Sequence, residues 1–259
     1  MYLPIPPQPD CVAGWREAVR LVDLATGHQA QNVVISVAEP TARATLADPV
    51  VAEVDAFLSG HGKKPIETVA NTIFPAALYR RYGAPQFFDR FRDNVLPKVR
   101  RSGAWSGYYF ERMMELPRAD GQPINQIWGI VERLRNPNVR ALNKFELLIF
   151  DPARDVNDSP YGGQCLSFAS LKLIGKGDDR RLGMTALYRN HYYIEKLLGN
   201  LIGLGRLLEF IAKEGGVALG PLTIVSTNAT VDTANWNRGD LKQLFERCDQ
   251  ASAHLRAAA

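Results

Sequence analysis

The sequence predicts an α/β (α+β) chain whose strands cluster in its second half. Three observations lead there. Residues 166–173, LSFASLKL, partly alternate apolar and polar side chains, the period of a half-buried strand. Residues 192–213 bring Ile194, Leu197, Leu198, Leu201, Leu204, Leu208 and Ile211 onto one helical stripe. The composition, 46% hydrophobic and 22% charged over 259 residues, is that of a globular protein with a large core.

The elements follow in order. Residues 1–14 are proline-rich and expected to run extended over the surface. Residues 15–25 and 41–60 read as helices around a strand at 32–38. Residues 66–82 read as a helix kinked or broken near Pro75, because proline lacks the amide donor and clashes with the preceding turn. Helices at 85–96 and 124–135 follow, the second ended by Asn-Pro-Asn at 136–138. Strands are expected at 140–149 and 165–173, then a turn at Gly-Lys-Gly-Asp-Asp 175–179, then a strand at 183–188. The helix at 192–213 is stopped by Gly215 and Gly216. A strand at 222–226 and a helix at 240–252 complete the chain. No linker rich in Pro, Ser or Gly divides it, so one domain is expected over 1–259.

Charge and cysteine content exclude several classes. The net charge is +4, and no run of five like charges appears, which argues against polymeric nucleic acid and suits a small anionic ligand. Cys11, Cys165 and Cys248 are far apart, with no CxxC and no Cys/His cluster, so no metal site is expected. Prolines stand where a signal peptide has its apolar core, and no stretch of about 18 apolar residues occurs. A cytoplasmic location without membrane contact is the expectation.

Chemistry is concentrated after residue 160. Cys165 follows the glycine pair of GGQCLSFASL and stands at the mouth of the alternating strand. LYRNHYY at 187–193 brings Arg189, and a guanidinium near a thiol favours the nucleophilic thiolate. The alternative is a buried structural cysteine. Arg189 and Asn190, read at the start of the helix, can grip an anion or form an exposed salt bridge. Asn200 lies on the apolar stripe, either as a satisfied core amide or as a carboxamide that reads a cyclic amide edge. Gly199, Gly203 and Gly205 are costly inside a helix and permit close approach or tight packing. NPNVR at 136–140 brings a second arginine, Arg140.

These pieces occur in the order found in thymidylate synthases, and the chain resembles that family over roughly residues 60–245. Cys165 matches the family's nucleophile. Arg189, with Asn190 in the place of a serine, resembles the arginine that binds phosphate and supports the thiolate. Asn200 falls where the pyrimidine-reading asparagine belongs. NPNVR resembles the segment that reaches the phosphate across a dimer, which gives Arg140. SGYYFERM points to Tyr109, IETV at 66–69 to Glu67 as the catalytic carboxylate, and GPLTIVSTNA resembles an archaeal-type strand of the family. The resemblance implies a thymidylate synthase-like mixed sheet flanked by helices, a sheet-to-sheet homodimer, a pyrimidine nucleotide substrate and 5,10-methylene-tetrahydrofolate as cofactor.

The chain also departs from the family. Leu166 and Gln164 replace the histidine and proline that flank the nucleophile, and Tyr192 replaces the acid that positions folate. Thr230 and Asp232 stand at the sugar-binding His-x-Tyr, and SAHLRAAA at 252–259 does not resemble the folate-closing tail. The expected activity is transfer of a methyl or hydroxymethyl group to C5 through a Cys165 adduct, with ordinary dUMP activity in doubt. The alternatives are a folate-independent enzyme and a nucleotide-binding protein on the same scaffold.

Overall fold

The computed structural model of the chain describes residues 2–101, 108–118, 120–139, 142–156 and 163–258. Strands β1 (Leu3–Pro4) and β2 (Gln8–Asp10), helix α1 (Cys11–Leu24) and strand β3 (Gln29–Glu39) come first. Seven helices follow: α2 (Pro49–Gly60), α3 (Ile66–Ile73), α4 (Ala76–Tyr82), α5 (Gln86–Asn94), α6 (Leu96–Arg100), α7 (Tyr109–Met114) and α8 (Gln126–Arg135). The second half contains β4 (Glu146–Leu148), α9 (Pro152–Asp155), β5 (Leu166–Ile174), β6 (Arg181–Tyr188), β7 (His191–Tyr192), α10 (Leu197–Gly215), β8 (Ala218–Thr230) and α11 (Arg238–Ala258).

Several boundaries differ from the sequence reading, each for a local reason. The proline-rich start is extended only to Asp10, and β1 and β2 pair in parallel with β3. The Asp10 carboxylate accepts from the Ala13 amide at 2.8 Å and starts α1 at Cys11. Asp48 does the same for α2, accepting from Val50 and Val51, with Pro49 in the first helical position. The helix expected at 41–60 therefore begins only at 49. The break near Pro75 is present: Phe74 is extended, as a residue before proline prefers, and ends α3. The strand expected at 140–149 is β4 alone. Its outer edge is closed by the Gln126 side chain, which accepts from the Leu148 amide and donates to the Leu148 carbonyl.

The eight strands form one mixed sheet along the path β1-β3-β8-β6-β5-β4, with β2 also on β3 and β7 also on β8. The last strand, β8, lies in the middle, antiparallel to β3 and parallel to β6. One face of the sheet carries the buried side chains Val33, Ile35, Ile224, Ala186 and Tyr188, packed in a single cluster with residues of α1 and α10. On the other face the register aligns Val34, Val225, Leu187, Phe168 and Leu148 in a row across five strands, none of them fully buried.

Helix α10 is apolar on nearly every side because it runs through the core. Its glycines permit that position. A Cβ at Gly203 would stand 2.8 Å from the Ala70 carbonyl oxygen of α3, and one at Gly205 only 2.4 Å from the Pro40 carbonyl oxygen. Substitution Gly205→Ala gains roughly 1 kcal/mol of helix propensity. It also forces a backbone shift that costs about 1–3 kcal/mol in a packed core. The expected outcome is net destabilisation with a lowered urea midpoint, and unchanged or raised stability would show that the loop at Pro40 yields freely.

Candidate active site

Cys165 lies at the bend that leads into β5, half-buried, whereas Cys11 and Cys248 are buried. The first residues of β5 are bulged: the register shifts between Leu166 and Phe168, and the Ser167 carbonyl accepts from both Ile149 and Phe150. A bulge re-aims side chains at a strand end. The Arg189 amide donates to the Cys165 carbonyl at 2.9 Å, and Arg189 Nε donates to the Gln164 carbonyl at 2.9 Å. The guanidinium also lies 5.1 Å over the Phe150 ring. Its Nη2 is buried without a hydrogen-bond partner among the described residues. Gly163, at φ +68°, lets the chain close round this group, since a Cβ there would meet Asp155 Oδ1 at 3.1 Å and Arg189 Nη2 at 3.3 Å.

Below this loop lies a buried ion pair absent from the sequence reading. Arg112 of α7 donates to both Asp155 oxygens, at 2.8 and 3.1 Å, and Asp155 also accepts from the Asp151 amide. Helix α7 therefore carries the anchor Arg112 and, at its first residue, Tyr109. Burial is the main cause pushing the Tyr109 phenol up, the nearby Cys165 adds to it, and hydrogen bonding from the Leu166 and Cys165 backbone opposes it.

The expected activation of Cys165 is corrected in part. Burial raises its pKa, and the Arg189 and Lys196 charges pull it down without cancelling the rise. Lys196 was not singled out in the sequence; it sits in the turn before α10 and pairs with Glu195 at 2.7 Å. A second correction concerns the anion grip. Arg189 and Asn190 do not start the helix, because β7 and a turn intervene before Leu197. Asn190 instead accepts from Asn228 Nδ2 at 3.0 Å, and Thr227 Oγ1 donates to the Arg189 carbonyl at 2.9 Å.

Asn200, in the first turn of α10, is 3% exposed, and its Nδ2 lies 2.9 Å from His191 Nε2. His191 is 2% exposed, stacks on Tyr188 at 4.0 Å and 10°, and reaches Ser226 Oγ through Nδ1 at 3.0 Å. Burial lowers its pKa to about 3, so the ring is neutral at physiological pH. His191 was not singled out in the sequence, and no local pattern in the mixed polar and apolar segment from Tyr188 to Leu198 marks it.

Other predicted residues are engaged elsewhere. Glu67 accepts from both Nη1 and Nη2 of Arg206 at 2.9 Å and from Asn71 at 3.4 Å, and none of these bonds reaches Cys165. The Thr230 carbonyl accepts from the Tyr193 amide at 2.9 Å. Asp232 is buried and accepts from the Ile194 amide at 2.9 Å, holding the turn into α10. Tyr192 is 44% exposed beside Thr230. Arg140 lies outside the described residues. In the segment before it, Asn136, Pro137 and Val139 line a cleft of about 240 Å³ together with Arg133, Arg135 and Arg180, apart from the Cys165 cluster. Among the described residues no group of three His, Cys, Asp or Glu is arranged to hold a metal, and no helix is long and apolar enough to cross a membrane.

No protein-family model matches the chain. It is similar to archaeal proteins named "Putative thymidylate synthase". That of Methanosarcina mazei is 30% identical over 117 residues, 44% of this chain and 49% of the relative. That of Methanococcoides burtonii is 27% identical over 121 residues, 46% of this chain and 51% of the relative. That of Methanocaldococcus jannaschii is 30% identical over 145 residues, 54% and 61% of the two chains. The chain spans about half the length of the curated relatives it matches. These likenesses support a distant thymidylate synthase-like relationship.

Two outcomes are expected. Brief iodoacetamide treatment of the folded chain near pH 8 modifies Cys165 first, because Cys11 and Cys248 are buried and burial raises both thiols. Peptide mass spectrometry that finds all three labelled equally would contradict the burial difference. The second outcome concerns His191, whose pKa falls from 6.5 unfolded to about 3 folded. Between those values the unfolded chain binds a proton that the folded chain does not. Stability therefore falls as pH drops through that window, by up to about 1.4 kcal/mol per pH unit. Urea titrations of wild type and His191→Gln should diverge in slope there, and parallel profiles would refute the buried neutral ring.

Proposed function

We propose that the chain transfers a one-carbon unit, methyl or hydroxymethyl, to C5 of a pyrimidine nucleotide through a covalent Cys165 adduct. One observation carries the reading: a half-buried thiol beside the Arg189 guanidinium, whose Nη2 is buried with no partner among the described residues. A buried donor without an acceptor is costly, and a bound anionic oxygen relieves that cost. The distant likeness to proteins named as thymidylate synthases supports the same reading.

The chemistry follows from the chain's own residues. The Arg189 and Lys196 charges favour the thiolate against burial. The thiolate forms a bond to ring C6, and the C5–C6 π electrons move through C5 toward O4. Asn200 offers hydrogen bonds to the ring edge as charge develops on O4. The carbon unit bonds to C5 as its bond to the one-carbon donor breaks; water would complete a hydroxymethyl product, and a hydride from a reduced donor a methyl product. Loss of the C5 proton and expulsion of the thiolate then restore the ring. Tyr109, beside Cys165, and Glu67 are the proposed proton-handling groups. Asn190, Thr230 and Asp232 are proposed to line the nucleotide, and Arg140 to reach the phosphate from a partner subunit.

The cofactor that goes with this reading is 5,10-methylene-tetrahydrofolate, which supplies the one-carbon unit. Tyr192, at the position of the folate-positioning acid, is an exposed phenol with a single hydroxyl. It does not reproduce the contact of an acid. That observation favours a second reading, a folate-independent exchange at C5 through the same Cys165 adduct.

A homodimer is proposed through the open face of the sheet. The row Val34, Val225, Leu187, Phe168 and Leu148 is an apolar stripe of the kind that pairs with a second copy. Leu187→Glu should convert a dimer into a monomer in sedimentation velocity, and an unchanged mass would remove this face from the interface.

The reaction is tested with 5-fluoro-dUMP, with and without methylene-tetrahydrofolate. Wild type should carry a nucleotide mass increment on the Cys165 peptide, and Cys165→Ser should bind the nucleotide without the increment. An adduct formed only with folate supports the transferase, and one formed without it supports the folate-independent reading. A wild type that neither binds nor forms an adduct would overturn both.

A further inference from the structure

We propose that His191 is a specificity-determining positioning residue, which holds the Asn200 carboxamide in the one orientation that selects a ring bearing an N–H beside a carbonyl. The proposal deepens the pyrimidine reading above and rests on it.

The geometry is a chain of buried polar groups. Asn200 Nδ2 lies 2.9 Å from His191 Nε2, His191 Nδ1 lies 3.0 Å from Ser226 Oγ, and the Tyr193 hydroxyl donates to the same Ser226 oxygen at 3.2 Å. All four residues are buried. A neutral imidazole has one donor nitrogen and one acceptor nitrogen. Because an amide nitrogen donates, the nitrogen facing it, Nε2, must be the acceptor. The proton then sits on Nδ1 and is donated to Ser226. The Tyr188 ring, stacked at 4.0 Å and 10°, stops the imidazole from turning out of this plane.

The consequence lies at the other end of the carboxamide. One N–H of Asn200 is engaged by His191, which leaves Oδ1 as an acceptor and the second N–H as a donor, side by side and in a set order. That pair matches the imide edge of uracil, whose N3–H donates and whose O4 accepts. Cytosine presents the opposite pair, an acceptor at N3 and a donor at N4. Reading cytosine requires the amide to rotate by half a turn, which would bring Oδ1 against the lone pair of Nε2. The imidazole would then have to shift its proton from Nδ1 to Nε2, with Ser226 turning to donate. The preference is therefore stored in His191 and Ser226, behind the carboxamide that would read the base.

The closing experiment has two arms. In the first, ¹⁵N NMR of the histidine side chains, with His191 assigned by its loss in His191→Gln, should find Nδ1 protonated and Nε2 bare. A proton on Nε2 overturns the proposal whatever the chain binds. In the second, calorimetry compares dUMP and dCMP. Wild type should prefer dUMP by about tenfold or more, since each tenfold corresponds to about 1.4 kcal/mol. His191→Leu and Ser226→Ala should bring the two affinities to within about threefold of each other. His191→Gln, whose carboxamide oxygen can take the acceptor place of Nε2, should restore the preference. A wild-type preference that survives His191→Leu overturns the role of His191 alone. Binding of neither nucleotide by wild type overturns the pyrimidine reading together with the selectivity built on it.

Discussion

Three successive side chains of the central strand β8 hold the turn on which the candidate site is built. Ser226 hydrogen-bonds His191, Thr227 donates to the Arg189 carbonyl, and Asn228 donates to Asn190. A β-strand sends alternate side chains to opposite faces. Adjacent residues can therefore reach one turn only where that turn wraps the strand end, as the segment from Tyr188 to Tyr193 does. The arrangement requires β8 to lie between β3 and β6, with β7 added beside its last residues. Helix α10 makes the connection from β7 to β8, and its glycines let it lie close enough to α3 and Pro40 for Asn200 to come under His191.

At the thiol and at the imidazole, burial outweighs charge. Arg189 and Lys196 act on Cys165, yet desolvation still raises its pKa. Among the described residues no acid stands beside His191 to retain a proton, and desolvation keeps the ring neutral. The two effects suit different tasks. A thiol whose pKa is raised at rest becomes more nucleophilic when further positive charge or hydrogen bonding reaches it. A histidine that cannot ionise near neutrality behaves as a fixed donor and acceptor.

The Arg112–Asp155 pair packs against Gly163, two residues before Cys165. Its two groups are taken out of water, so removing either leaves a buried charge, a situation that typically costs about 3–5 kcal/mol. The pair ties α7, with Tyr109, to α9 and thereby to Gly163, where the backbone turns round the Arg189 guanidinium. Rigidity at the candidate site thus comes from polar groups buried next to it, while the aromatic cluster of Phe74, Phe87, Phe88, Phe110 and Phe210 packs the helical layer.

The sequence by itself determined the mixed α/β character, the break at Pro75 and the long core helix, because these depend on local periodicity and on the chemistry of single residues. It also brought out Cys165, Arg189 and Asn200 as a set. It did not mark the start of α10. Ile194 continues the apolar phase of the helix, and the turn before Leu197 is held instead by Asp232, 38 residues later in the chain. Nor did it assign His191, whose donor and acceptor sides depend on Ser226 and Asn200, or the Arg112–Asp155 pair, whose partners are 43 residues apart. Only the tertiary structure decided the balance at Cys165. Charges can be counted along a chain, but desolvation depends on what the fold packs around the group.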